Sequence, residues 1–258
     1  MIIRKSAEEI DRMARAGIVV ARALALVGEH ARPGVTTGEL DTLAEEFIRS
    51  SGGAPTFKGY RGYPASICAS PNSVVVHGIP GDYRLAEGDV LAVDVGVTLD
   101  GFVADSAYTF AIGEIGAAAE RLLEACREAL HAGIEQCRAG NHLGDISHAI
   151  QTATEEAGFS VVRSLVGHGV GRAMHEEPQI PNFGEPGRGP ALASGMVFAI
   201  EPMINAGGAD VVVHDDRWSI STADESLSAH FEHTVAITPE GPRILTASED
   251  RVEAGLLQ

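Results

Sequence analysis

Residues 88–96, GDVLAVDVG, align with residues 195–203, GMVFAIEPM, when the chain is shifted by 107 positions. Each is an apolar, strand-like run interrupted by one acid, and Asp94 falls on Glu201. A shift of 106 places Arg32, Gly34, Gly38 and Leu40 on Arg138, Gly140, Gly144 and Ile146. In both sets a Gly-containing turn joins a long helical pattern to a shorter one. The first long helix is predicted over about 6–30, with Ile10, Met13, Ala14, Gly17, Ile18 and Ala21 at helical spacing. RPGVTTGEL breaks it, and Thr36 or Thr37 can cap a second helix running to about Ser50. Residues 54–112 read as strands punctuated by Gly, Pro and Asn. The order then repeats: helix from 113 to about 136, a break at RAGNHLGDI, helix to about 156, and strands to the end. Self-similarity of element order points to duplication. The expected architecture is α+β: one catalytic domain of two pseudo-symmetric halves, about 1–112 and 113–258, sharing a curved antiparallel sheet. The helices lie outside and the site lies between the halves.

Composition narrows what such a chain can do. Its 258 residues are 45% hydrophobic, enough for a full core. A formal charge of −17 repels phosphate backbones and argues against direct nucleic-acid binding. Cys68, Cys126 and Cys137 are odd in number and lack CxxC spacing, which fits reduced thiols in a cytoplasmic protein. The first residues turn polar at Arg4 and read as a helix rather than a signal peptide, and no apolar run reaches membrane-spanning length.

The acids carry the chemistry. An unpaired carboxylate buried in an apolar strand costs several kcal/mol or is neutralised. Asp94 alone could simply face water. Asp105, however, follows it by eleven residues across an LDG turn, so a hairpin would set the two side by side. Glu232 in AHFEHTVAI is a further acid in a strand-like run. Converging carboxylates repel, and cations relieve the repulsion. Four carboxylates with one histidine exceed a tetrahedral site and suit two divalent ions. Oxygen-rich donors with one imidazole favour Mn, Fe(II), Co or Zn over Cu.

In residues 167–178, GHGVGRAMHEEP, three glycines and two histidines precede paired acids. GHGVG lacks GxGxxG spacing, no GxxxxGK[ST] loop occurs, and HEEPQ is not HExxH. In an extended chain His168 and His175 would face opposite sides unless the segment turns, which Gly171 could allow. The two histidines therefore read as having separate jobs. The glycines are expected to let a strand-edge backbone crowd the metal centre, and Glu176 and Glu177 to stand outside the chemistry.

With GYRGYPASICAS, NSVVVHGIP, VDVG, ADSAYTF, GHGVGRAMHEEPQI, FAIEPM and SLSAHFEHTVAIT in this order, the chain resembles the methionine aminopeptidases, the pita-bread dinuclear metallopeptidases, over nearly its whole length. The resemblance implies a ligand set of Asp94, Asp105, His168, Glu201 and Glu232. In that pattern Asp105 and Glu232 bridge, Asp94 chelates one ion, and His168 with Glu201 binds the other. It also implies substrate contacts from His77 and His175, a general base in Glu201, and a methionine pocket of Tyr60, Tyr63, Cys68, Met203 and Trp218. Without the resemblance, Tyr60 and Tyr63 would read as surface-loop aromatics and Trp218 as core. Type I is the closer match, because the short spacing from His168 to Glu232 leaves no room for the type II helical insertion. The N-terminal extension of the longer type I enzymes is not expected either. Met174 stands where a phenylalanine commonly precedes the second histidine, and Phe57 where some bacterial members have a small residue.

The implied activity is removal of the initiator methionine from nascent chains after deformylation, near the ribosome, by a cytoplasmic monomer without a membrane or nucleic-acid partner. Two alternatives remain: a related Xaa-Pro aminopeptidase or creatinase-like hydrolase, disfavoured by length, and a catalytically silent binding module, disfavoured by the complete set of site residues.

Overall fold

In the computed structural model of the chain, which describes residues 1–247, local signals set the helix boundaries. Ser6 caps α1 (Ala7–His30): its hydroxyl accepts from the Glu9 N–H, and the Glu9 carboxylate accepts from the Ser6 N–H. Thr36 and Glu39 build the same box at the start of α2 (Thr37–Ser50). Two orphan donors are satisfied reciprocally in each. Position 106 residues on, His142 precedes α4 (Leu143–Glu156), and its N–H donates to Asp145 at 2.7 Å. The intervening α3 spans Ala117–Glu135 and begins later than expected. Gly113, at φ 67°, turns the chain first, and Gly116 caps the helix without a side chain.

The two turn-to-helix junctions repeat in their hydrogen bonds. Gly34, at φ 92°, donates to Leu85 O, and Gly140, at φ 99°, to Leu192 O. Gly38 N–H reaches Gly81 O and Gly144 N–H reaches Arg188 O, each at 2.9 Å. A side chain at Gly144 would sit 2.2 Å from Glu185 O, so the close helix–loop approach requires glycine there.

Every strand pair is antiparallel. The strands Val90–Leu99 and Phe102–Ala111 form a long hairpin closed at Asp100 and Gly101. Their φ values of 50° and 77° give the left-handed pair that two-residue hairpin loops require. Cys68–Pro71 pairs along the other edge of Val90–Leu99. In the second half the order is Gly241–Ile244, His233–Thr238, Val197–Ile200, Val166–Gly169, Glu176–Pro181.

Where the halves meet, the strand ladder is interrupted. Glu232 N–H donates to Ala107 O at 2.9 Å, and three hydroxyls replace ladder bonds: Thr234 to Asp105 O, Ser106 to Glu232 O, and Thr109 to His230 O. The seam of the sheet is thus stapled by side chains. Residues 248–258 of the expected second half lie outside the described residues.

Alternation decides where the acids go. Val93 and Val95 pack with Leu24, Leu40 and Ile48 of α1 and α2. Asp94 and Gly96, between and beyond them, therefore face away from the helices. In the other half Phe198 and Ile200 pack with Leu122, Ile146 and Ile150 of α3 and α4. Helices cover one face of each half, and the opposite face is left to a third cluster that includes Phe57, Tyr63, Cys68 and Met174.

Candidate metal centre

The hairpin register pairs Asp94 with Ala107 and Asp105 with Gly96. The two acids are diagonal neighbours on one face, and the charge of Asp94 adds to the upward shift of Asp105. Glu201 follows the strand Val197–Ile200, and Glu232 precedes His233, which is paired with Ile200. Four carboxylates from two hairpin systems therefore converge.

His168 stands on Val166–Gly169, and its Nδ1 lies 2.9 Å from Gly169 O. That carbonyl accepts a hydrogen bond from Nδ1–H and leaves Nε2 as a lone-pair donor. Nε2 is 3.5 Å from Glu201 Oε1 and 3.9 Å from Asp105 Oδ2. Asp105, His168 and Glu232 form one group of mutually close donor atoms, and Glu201, His230 and Glu232 form another. Asp94 belongs to neither group but is the diagonal neighbour of Asp105 across the hairpin and lines the same cavity.

These residues fit divalent ions. Separations of 3.5–3.9 Å are too long for hydrogen bonds, yet suit two atoms each about 2.0–2.2 Å from a shared ion. Buried oxygens Asp94 Oδ1, Asp105 Oδ1 and Glu232 Oε1 have no hydrogen-bond partner. Burial raises the Asp94 carboxyl to about 7. Burial and then mutual repulsion lift Asp105, Glu201 and Glu232 well above the carboxylate range. Cations would remove both penalties. Burial also lowers His168 and His77 to about 4, so both are neutral near pH 7.

His175 reaches the cluster because residues 171–175 turn between the strands Val166–Gly169 and Glu176–Pro181. The His168 and His175 rings lie 4.2 Å apart. Tyr60 OH meets His175 Nδ1 at 2.9 Å, and the two rings stack. His77 sits at φ 58°, an uncommon backbone region for a non-glycine residue that recurs at functional sites.

A cavity of about 300 Å³ opens onto these groups. Tyr60, Tyr63, Cys68, Met203 and Trp218 all line it, together with Phe57 and Met174. Tyr63 is buried rather than a surface-loop aromatic, its hydroxyl held by Ile67 O and Gly78 O and its ring edge-on to Trp218 at 5.1 Å. Cys68 pairs with Asp94 in the ladder, and burial pushes its thiol well up, so the lining there is neutral. Phe57 covers Gly96, where a Cβ would lie 2.7 Å from its ring.

One sequence expectation changes. The strand Val166–Gly169 lies inside its sheet, not at an edge, with partners on both sides. Its glycines make room for neighbouring strands: a Cβ on Gly167 would meet Ala199 O at 2.5 Å, and one on Gly169 would meet Glu177 O at 2.3 Å. They serve strand packing, and Gly167 also leaves room beside the Glu201 side chain, whose Cγ a Cβ there would meet at 3.4 Å. The structure also brings up an imidazole that the sequence reading did not count: His230 is buried beside Glu201 and Glu232. Its signal was its place two residues before Glu232, on the same side of an extended chain.

Glu176 is engaged by groups of its own. Its Oε2 accepts from Lys5 Nζ at 2.7 Å and its Oε1 from the Arg172 and Ala173 N–H groups. With side chains only 4% and 8% exposed, Lys5 and Glu176 latch the turn carrying His175 to the N-terminal segment.

Residues 11–239 match Metallopeptidase family M24. The methionine aminopeptidase of Clostridium perfringens is 53% identical over 246 residues, covering 95% of this chain and 99% of that one. Methionine aminopeptidase 1 of Mycobacterium tuberculosis is 51% identical over 253 residues, covering 95% of each. The crystal structure of methionine aminopeptidase from Rickettsia prowazekii superposes with a TM-score of 0.95 at 42% identity, covering 96% of this chain and 100% of that one.

Proposed function

The chain belongs to metallopeptidase family M24 and has the activity of its type I-like methionine aminopeptidases, and from that premise we propose how its residues divide the work. The observation that carries the reading is the convergence of acids and imidazoles at the wall of a cavity lined by Tyr63, Cys68, Met203 and Trp218. Asp94, Asp105, His168, Glu201 and Glu232 would hold two divalent ions, with Mn, Fe(II), Co and Zn the candidates. Bound there, such ions supply Lewis acidity toward the scissile carbonyl and acidify water.

The remaining steps fall to the protein. The methionine side chain enters the apolar cavity, where sulfur–aromatic contact with Tyr63 and Trp218 favours it. Glu201 takes the proton of the attacking water and passes it to the leaving amine. His175, its Nδ1 engaged by Tyr60, offers its other nitrogen to the carbonyl oxygen as negative charge develops there. His77, held neutral by burial, hydrogen-bonds the peptide backbone beyond the cut. Substrates are N-terminal Met peptides, and nascent chains in the cytoplasm, close to the ribosome, are where such ends arise. All donors come from one chain, so a monomer suffices. No helix among the described residues is long and apolar enough to cross a membrane.

Release of Met from Met-Ala-Ser, compared with Leu from Leu-Ala-Ser, tests this with and without added Co or Mn. Met release dependent on metal is expected. Failure of every metal to support it would overturn the reading, and a chain without stoichiometric metal would indicate a silent binding module.

A further inference from the structure

Outside the five-residue ligand pattern, one titratable group among the described residues is buried beside the acid cluster with a ring nitrogen that has no hydrogen-bond partner. His230 ends the strand Ser228–His230 and is 2% exposed. Its Nε2 has no hydrogen-bond partner. It lies 3.8 Å from Glu201 Oε2 and 3.8 Å from Glu232 Oε2. These distances rule out a direct hydrogen bond to either carboxylate. A histidine that merely filled the core would have both nitrogens satisfied, because leaving a buried polar atom unpaired is costly.

Glu201 is shared between two imidazoles. Its Oε1 faces His168 Nε2 at 3.5 Å, and its Oε2 faces His230 Nε2 at 3.8 Å. The backbone fixes His230 from both sides: its N–H donates to Thr109 Oγ1 and its carbonyl accepts from the same hydroxyl. The ring is therefore anchored at the seam between the halves while its nitrogen is left toward the acids. Glu201, His230 and Glu232 form a compact nitrogen–oxygen donor set beside the one that contains His168.

We propose that His230 is a sixth protein ligand of the metal centre, its Nε2 joining Glu201 and Glu232 so that Glu201 is shared between two imidazole donors. The proposal rests on the dinuclear reading above. A second imidazole shifts the centre toward ions that favour nitrogen, Co, Zn and Fe(II), relative to Mn.

Two measurements test it, neither depending on turnover. The unaltered chain, labelled with ¹⁵N-histidine and loaded with ¹¹³Cd, should show metal coupling to two histidine nitrogens, from His168 and His230. Coupling to His168 alone overturns the proposal and leaves the dinuclear reading standing. Coupling to none overturns both. Calorimetric titration of His230→Gln with Co and Mn then probes the chemistry. Gln can donate a hydrogen bond but is a poor ligand, so one Co-binding step should weaken roughly 10- to 100-fold, with a smaller change for Mn. A folded variant that binds Co as tightly as the unaltered chain would show that the imidazole only fills space or donates a hydrogen bond, and the proposal fails.

Discussion

Stripping the metal from the chain with a chelator should make its stability fall as the pH rises from about 6.5 to about 8. The sign follows from which state holds more protons. Asp94 titrates at about 7 in the folded chain against an ordinary 3.8, because burial disfavours its charge. Folding therefore gains stability from its proton at lower pH and loses that gain as the pH passes through 7. Asp105, Glu201 and Glu232 are shifted in the same direction, by burial and by each other. The buried histidines act oppositely: His77 and His168 are lowered to about 4 and His230 to about 3. In the unfolded chain each is still about half protonated at about pH 6.5, so the three together regain about 1.2 kcal/mol across this window and offset part of the fall. Asp94 alone loses about 0.8 kcal/mol across the window, and each further acid that keeps its proton throughout adds about 2 kcal/mol. With one such acid the net loss is about 1.6 kcal/mol, equivalent to a melting temperature lower by roughly 3–6 °C for a chain of this size. The assay is thermal unfolding in chelator at several pH values, paired with metal-loaded samples. Loaded samples should escape the fall, because ions take the place of the protons, and the stabilisation by metal should grow with pH. A metal-free melting temperature that is flat or rising between about pH 6.5 and 8 would refute the claim that four uncompensated acids share this site.

Glu201→Gln should lower turnover of Met-Ala-Ser by at least roughly 10²-fold while the circular dichroism spectrum stays unchanged; substantial residual activity would reject Glu201 as the base. Lys5→Met severs a buried ion pair and strands the Glu176 carboxylate, so a loss of about 3 kcal/mol is expected in denaturant unfolding. Because the same carboxylate holds the turn bearing His175, kcat should fall in that variant more than KM changes, and an unaltered kcat would confine Glu176 to stability. Met174→Ala should enlarge the methionine cavity and narrow the preference for Met-Ala-Ser over Leu-Ala-Ser by roughly 10-fold or more in kcat/KM. An unchanged ratio would show that Met174 does not shape the pocket.

The helix pairs were legible because their signals are local. Ser6 with Glu9 and Thr36 with Glu39 are three residues apart, and each pair fixes a helix start without help from the rest of the chain. The junction glycines were legible for a related reason, since a left-handed turn and a close backbone approach leave few substitutes at Gly34, Gly140 and Gly144. The seam between the halves was not. Whether Ala107 accepts from Glu232, or Thr109 from His230, depends on the register of strands more than 100 residues apart, and Ser and Thr occur in strands for many reasons.

At the site, legibility tracked contradiction. Asp94 and Glu201 interrupt runs that otherwise promise an apolar interior, and the conflict between local pattern and residue type marked them as functional. His230 creates no such conflict, since a histidine in a strand can be core, surface or ligand. Only the two 3.8 Å separations and the unpaired Nε2 distinguish these possibilities. Lys5 was hidden for a different reason: a lysine in a charged N-terminal segment reads as solvated, and its partner lies 171 residues away. The glycines of 167–171 were conspicuous, yet their function was misplaced. Glycine reports that something comes close, and the sequence does not say what. Here it is the carbonyls of Ala199 and Glu177 and the stem of Lys5, so the backbone is crowded by the protein's own strands and latch while the side chains of His168 and His175 line the cavity beside the acids.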